Sequence, residues 1–161
     1  KLPILFVVEN NFYASHMHIS ERQPYASTSR FAIANKIPYL VLDGNDVASV
    51  YKESKYFIER CRKDEGPFFI EAVTYRLLGH VDWKDDDDVG IERSKEVLDL
   101  WKLRDPIKRL EDEFKALKLF DSKIIINIKK KILEDLNVAW EKALLDPLPI
   151  DEQLMKFVYS K

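Results

Sequence analysis

Two carboxamides, Asn10 and Asn11, close an apolar, β-rich run, Leu2-Pro3-Ile4-Leu5-Phe6-Val7-Val8 followed by Glu9. A carboxamide oxygen is a neutral, hard donor, suited to completing an octahedral Mg²⁺ site beside a carboxylate, a backbone carbonyl and ligand phosphates. The same pair also reads as an Asn-rich turn behind a core strand. A second chemical group is His80, which follows Gly79 just past another predicted strand; the glycine gives the backbone freedom to bring an imidazole to a ligand, although a solvated loop histidine has the same signature. His16 and His18 stand two residues apart in a predicted loop with no cysteine and no third histidine near them, a spacing that makes little of a transition-metal site. The run Asp85-Asp86-Asp87-Asp88 lacks the glycine and the distal glutamate of a calcium loop and reads as a solvated, mobile stretch.

These groups need elements that bring them to one place. The opening run reads as a buried parallel strand, the central one of its sheet, that delivers Asn10 and Asn11 to the carboxyl edge, where open α/β sheets bind ligands. Residues 14–26 show neither helical nor alternating patterning and read as a loop. Ser27, Thr28 and Ser29 offer caps for a short helix over 30–36, whose consecutive apolar residues Phe31, Ala32, Ile33 and Ala34 predict packing on the sheet. A second buried strand over 37–42 ends in Asp43-Gly44-Asn45-Asp46, with Asp46 capping a helix over 47–61. A third strand covers 68–75. Strands alternating with helices argue for a parallel sheet. From Ser94 the pattern is helical: 94–103, then a helix to about residue 117 that starts on Asp105-Pro106-Ile107, with the aspartate as cap and proline at the first position, then 121–145. In the last helix Ile125, Ile128, Ile132, Leu136, Ala139 and Ala143 form an apolar stripe.

Composition excludes several function classes. A net charge of −2 with 34% charged residues gives no reason to propose nucleic acid or an anionic membrane as partner. The longest apolar run falls far short of the roughly 20 residues a membrane span requires. Cys61 is the single cysteine, which excludes an internal disulfide and a multi-cysteine metal site, fits a reducing compartment, and reads as a buried structural thiol. The sequence begins directly on a strand, without Met or a targeting signal, and is read as a fragment.

Five ordered segments carry a family resemblance: Glu9-Asn10-Asn11-x-Tyr13 after a strand; Ile37-Pro38 through Val41-Leu42-Asp43-Gly44-Asn45-Asp46-Val47; Gly66-Pro67-x-x-Ile70-Glu71-x-x-Thr74-Tyr75-Arg76; Tyr75-Arg76-x-x-Gly79-His80; and Arg104-Asp105-Pro106-Ile107-x-x-Leu110. Together they resemble the C-terminal portion of the α subunit of thiamine-diphosphate-dependent 2-oxo acid dehydrogenases of the pyruvate dehydrogenase type. The resemblance implies an α/β, parallel-sheet thiamine-diphosphate-binding fold, present in part over residues 1–93, with a helical C-terminal segment over 94–161. It implies that Asn11 and the backbone carbonyl of Tyr13 bind Mg²⁺, that His80 reaches the cofactor diphosphate and the bound 2-oxo acid as catalytic residue, and that Arg76 lies with it at the cofactor and orders its loop. Residues 14–26 would line the same site. The activity implied is oxidative decarboxylation of a 2-oxo acid with acyl transfer to a lipoyl arm. The partners implied are a β subunit, in a heterotetramer of two α and two β chains, and the lipoyl domain of the acyltransferase component, with residues after 146 docking on a neighbouring subunit.

Departures from the family pattern narrow that expectation. The Gly-Asp-Gly that opens the family's cofactor motif is absent, so the isolated chain is expected to bind thiamine diphosphate weakly and to be inactive alone. Leu78 replaces a histidine often found in pyruvate dehydrogenases, Val81 cannot accept phosphate where animal enzymes carry a regulated serine, and Glu92-Arg93 keeps only the arginine of a Tyr-Arg pair. These differences point away from pyruvate as substrate and from a regulated mitochondrial enzyme, toward the bacterial cytoplasm. Two other classes stay open: a non-catalytic scaffold or interaction domain that retains the fold, and a different doubly wound nucleotide-binding enzyme, against which stands the lack of a Gly-rich phosphate loop in a chain with 4 glycines.

Overall fold

The computed structural model describes residues 1–15, 17–81, 93–153 and 156. The elements run β1 (Leu5–Asn10), α1 (Ile19–Arg22), α2 (Ser29–Ala34), β2 (Tyr39–Asp43), α3 (Val47–Cys61), β3 (Phe68–Val73), α4 (Lys95–Lys102), α5 (Pro106–Ala116) and α6 (Ser122–Leu145), followed by a 3₁₀ turn at Asp151–Gln153. The α/β class with a parallel sheet is as the alternating pattern requires: the 3-stranded sheet has the order β1-β3-β2 and both pairings are parallel.

The strand that lies between two neighbours is β3, not β1. Every residue of β3 from Phe68 to Ala72 is buried, whereas Phe6 and Val7 of β1 are 44% and 56% exposed. The expectation that the opening run is the central, buried strand is therefore corrected: among the described residues it is an edge strand with β3 as its neighbour. A continuous apolar run reports that a strand has apolar faces to cover, but not how many strands flank it.

Alternation along β3 sends its two faces to different helices. Phe68 and Ile70 pack with Phe57 and Cys61 of α3, supported by Leu5, Leu40 and Leu42. Phe69 faces α2, where it shares a cavity wall with Phe31 and Ala32, and Glu71 on the same face bonds to the start of that helix. Helix α2 rests on the sheet through Ala32, while Phe31 and Ile33 are 54% and 56% exposed. Four consecutive apolar residues turn through about 100° each on a helix, so one face of contact cannot bury them all.

Local chemistry sets the boundaries. Asp46 accepts from Ser49 N (2.9 Å) and starts α3 where the sequence places it. Asp105 Oδ1 accepts from the N–H groups of Ile107 (2.8 Å) and Lys108 (3.0 Å) at the head of α5. Within residues 14–26, predicted as loop, the chain makes the short helix α1: the His18 ring caps Ser20 N and Ile19 is 2% exposed, so one buried side chain and one cap hold a single turn.

Contact density divides the chain into the units Lys1–Glu113 and Phe114–Lys161. The second unit consists chiefly of α6, capped by Asp121, whose Oδ1 accepts from Lys123 N (3.0 Å), with Phe114 and Phe120 meeting edge to face at 4.7 Å. Its predicted stripe is present, and Ile128, Ile132 and Leu136 are exposed along it.

Candidate functional site

The register brings the ends of all three strands into line. Asn10 and Asp43 both pair with Val73 at the last rung of the sheet, one on each side, so the Asn10-Asn11 turn, the segment leading to His80 and the Asp43-Gly44 turn leave from one carboxyl edge. Gly44 is required there by close approach: its N–H donates to Val73 O at 2.7 Å, and a Cβ would lie 2.9 Å from that oxygen.

Two consecutive side-chain turns shape the Asn pair. Asn10 Oδ1 accepts from Phe12 N (3.1 Å) and Asn11 Oδ1 accepts from Tyr13 N (3.0 Å), with Phe12 in the left-handed region at φ 66°. Tyr13 and His18 then form an isolated antiparallel bridge flanked by Ala14 N to Met17 O (2.9 Å) and Ile19 N to Phe12 O (2.7 Å). A residue between such flanking bonds turns its own N–H and C=O away from the opposite segment. The Tyr13 carbonyl therefore faces the side on which Tyr13 N meets Asn11 Oδ1. An amide oxygen with a second lone pair and a backbone carbonyl thus share one side of one turn, a donor set that fits Mg²⁺.

Beneath this turn lies Glu71, 0% exposed, on the central strand. Its carboxylate accepts from Asn10 Nδ2 (2.7 Å), Ser27 Oγ (2.5 Å), Thr28 N (2.9 Å to Oε1, 3.1 Å to Oε2) and Ser29 N (3.0 Å). Burial pushes this carboxyl up, but the bonds from Ser27, Thr28, Asn10 and Ser29 outweigh it and hold the group below the usual glutamate range.

Aromatic rings join the turn to the rest of the edge. Tyr13 meets Tyr75 edge to face at 5.9 Å and His18 at 5.0 Å; Tyr75 stacks on Trp101 at 5.4 Å, and Trp101 in turn meets Phe12 at 6.1 Å. Burial pushes the Tyr13 phenol above its usual value. Past β3, Arg76 Nη1 lies 3.4 Å from His80 Nδ1, and Arg93 donates to Leu78 O (3.1 Å) and, in a shorter contact, to Arg76 O. On the β2 side, Asp43 pairs with Arg104 (3.0 Å) and Arg109 (2.9 Å), and buried Asn45 donates to Arg104 O (2.9 Å) while accepting from Thr74 Oγ1 (2.6 Å).

The structure thus brings Asn11 together with Tyr13, and Arg76 together with His80, and links the pairs through the Tyr13 and Tyr75 rings. His18 is occupied as a helix cap and ring partner, His16 lies outside the described residues, and no group of three or more His, Cys, Asp or Glu side chains that could share a metal ion occurs among the described residues. The aspartate run, the stretch expected to be mobile, also lies outside the described residues. Cys61 is buried in the core as expected. Sequence reasoning passed over Glu71, Tyr75 and Trp101. The first had a signal, an acid inside the buried run Phe68-Phe69-Ile70-Glu71-Ala72-Val73; the ring contacts, which join residues as distant in sequence as Phe12 and Trp101, had none.

Comparison with known proteins adds the following. The profile of the family described as "Dehydrogenase E1 component" matches residues 1–150. The chain is similar to the pyruvate dehydrogenase E1 component subunit alpha of Porphyra purpurea, at 33% identity over 99% of this chain and 45% of that protein. It is 32% identical to the 2-oxoisovalerate dehydrogenase subunit alpha of Bacillus subtilis, over 100% of this chain and 48% of that protein. A chloroplastic pyruvate dehydrogenase E1 subunit alpha-3 of Oryza sativa is 36% identical over 99% of this chain and 37% of its own length. The chain therefore spans somewhat less than half the length of these relatives.

Proposed function

The chain belongs to the dehydrogenase E1 component family, and from that membership we propose that it carries the metal- and diphosphate-holding part of a thiamine-diphosphate-dependent 2-oxo acid dehydrogenase α subunit. The observation that carries this reading is the turn at the carboxyl edge, where Asn11 Oδ1 accepts from Tyr13 N (3.0 Å) beside the isolated Tyr13–His18 bridge. In this reading residues 1–93 are the cofactor-side α/β portion and 94–161 the helical segment.

Asn11 and Tyr13 would supply Mg²⁺ with two neutral oxygens, leaving the remaining positions to a carboxylate and the diphosphate. When bound, thiamine diphosphate supplies the carbanion-stabilising chemistry that decarboxylation needs. His80 would meet the diphosphate and the 2-oxo acid. A guanidinium only donates, so in its contact with Arg76 the His80 Nδ1 is the acceptor. The substrate is a 2-oxo acid; the relatives are named for pyruvate and for 2-oxoisovalerate. The partners in this reading are a β subunit and a lipoyl-bearing acyltransferase. The relatives come from bacterial, chloroplast and mitochondrial sources, and no helix among the described residues is long and apolar enough to cross a membrane; we place the protein in the bacterial cytoplasm because Val81 removes the phosphate acceptor of the animal enzymes.

The test uses the complete α subunit containing this chain, assembled with its β partner. Asn11→Ala should weaken Mg²⁺-dependent binding of thiamine diphosphate about 10- to 100-fold or more, as measured by calorimetry. His80→Ala should weaken that binding less than Asn11→Ala does and should slow reductive acylation of a lipoyl domain. An assembled wild-type protein that binds no thiamine diphosphate at millimolar Mg²⁺ would instead be a non-catalytic scaffold that retains the fold.

A further inference from the structure

We propose that Glu71 is a positioning residue for the metal-binding turn, acting through Asn10; the inference rests on the reading of Asn11 and Tyr13 just given. Asn10 is 6% exposed, and its carboxamide is used on every side: Nδ2 donates to Glu71 Oε1 (2.7 Å) and Ala26 O (2.9 Å), and Oδ1 accepts from Phe12 N (3.1 Å). Turning that amide over would aim its oxygen at a carboxylate and a carbonyl and its NH₂ at an N–H. Glu71 accepts only, so it removes this alternative and fixes which end of Asn10 faces the turn. The end that faces the turn holds Phe12 N, and with it the left-handed backbone at Phe12 (φ 66°), a conformation a phenylalanine does not adopt without such a constraint. Phe12 is the residue between Asn11 and Tyr13, so its backbone sets the relation of the two oxygens that face the metal.

The carboxylate is itself immobile. Its remaining bonds come from Ser27 Oγ and from the N–H groups of Thr28 and Ser29 at the start of α2, whose cap residue Thr28 makes no side-chain cap bond of its own. Glu71 thus caps α2 from across the sheet and holds Asn10 with the same group. Anchoring α2 would be a structural role and no more. What distinguishes positioning is the link through Asn10, which can be cut without touching the cap.

Binding of Mn²⁺ in place of Mg²⁺, followed by electron paramagnetic resonance in the complete α subunit with its β partner and saturating thiamine diphosphate, tests this. Glu71→Gln places an NH₂ against the N–H donors or against Asn10, and Asn10→Ala cuts the link while leaving the bonds to Ser27, Thr28 and Ser29. Both variants should bind Mn²⁺ about 10- to 100-fold more weakly than wild type, as loss of a supporting shell does, and added metal should restore their activity. The double variant should be no weaker than the worse single one. If Glu71→Gln does not assemble, Asn10→Ala carries the test alone. Wild-type Mn²⁺ affinity in Asn10→Ala, with Asn11→Ala impaired, would overturn the role of Glu71 and leave the metal reading standing; wild-type affinity in Asn11→Ala as well would overturn the metal reading and this inference with it.

Discussion

Glu71 and Asp43 both serve the carboxyl edge of the sheet, and they are held in opposite ways. Glu71 is 0% exposed and takes its bonds from hydroxyl, amide and backbone N–H donors, with no ion pair among the described residues. Asp43 has a side chain 33% exposed and is held by two guanidinium groups, Arg104 and Arg109, on the segment that leads into α5 and on α5 itself. Short donors fixed to the backbone are directional and leave little play, whereas long arginine side chains in contact with water can re-aim without losing their charge partner. The edge therefore has a stiff half between β1 and β3, which carries Asn11 and Tyr13, and a compliant half at β2, held by Arg104 and Arg109.

The largest effect that sharpens this contrast is on stability. Glu71→Ala leaves several buried donors without an acceptor, and at about 1 to 3 kcal/mol for each such group the loss should reach about 3 kcal/mol or more. Asp43→Ala removes partly exposed ion pairs and should cost about 1 kcal/mol. Opening free energies of β3 amides, read by native-state hydrogen exchange in the assembled protein, give both values. Equal losses, or the reverse order, would break the distinction between the two halves.

That contrast was only half legible in the sequence. The ion pairs of Asp43 with Arg104 and Arg109 join distant segments and were not readable, but the local parts of the compliant half were: Asp43-Gly44 ends a strand, Asp46 caps α3, and Asp105-Pro106 starts α5, each a short-range decision between neighbouring groups. The Asn pair was readable for the same reason, as polar residues terminating an apolar run. The stiff half depends on groups 44, 43 and 42 positions apart, Ser27, Thr28 and Ser29 with Glu71, and a strand pattern cannot say which loop will cover a given side chain. It also could not say that β3, and not β1, lies between the other strands, because an apolar run looks alike in either place.

An intermediate effect tests the hold on Asp43 by acid. Burial pushes the Asp43 carboxyl up, but bonds from Asn45 N, Arg109 and Arg104 outweigh it and leave the group below the usual aspartate range. A carboxylate whose folded pKa is depressed contributes stability above its unfolded pKa, near 3.9, and loses it as pH falls through the lower folded value. The difference in hydrogen-exchange stability between wild type and Asp43→Asn should therefore be present at neutral pH and shrink progressively below about pH 4. A difference that grows on acidification would mean that Asp43 is protonated more readily in the folded protein, and that its arginines do not hold it.

The smallest effect concerns the ring cluster that joins the two halves. Tyr75 is 7% exposed, stacks on Trp101 at 5.4 Å and meets Tyr13 at 5.9 Å, yet its hydroxyl is buried without a hydrogen-bond partner among the described residues. The ring contributes through area and stacking, about 0.5 to 1.5 kcal/mol for each aromatic pair beyond burial, and Tyr75→Phe keeps all of that. Removing the hydroxyl also removes the cost of desolvating it, so the substitution should be neutral or stabilising by up to about 1 kcal/mol. A loss of more than about 1 kcal/mol would instead mean that the Tyr75 and Tyr13 hydroxyls bond to each other. In that case the polar bond, and not ring packing, would couple the turn bearing Asn11 to the segment bearing Arg76 and His80, and Tyr13→Phe should show the same loss without adding to it in the double variant.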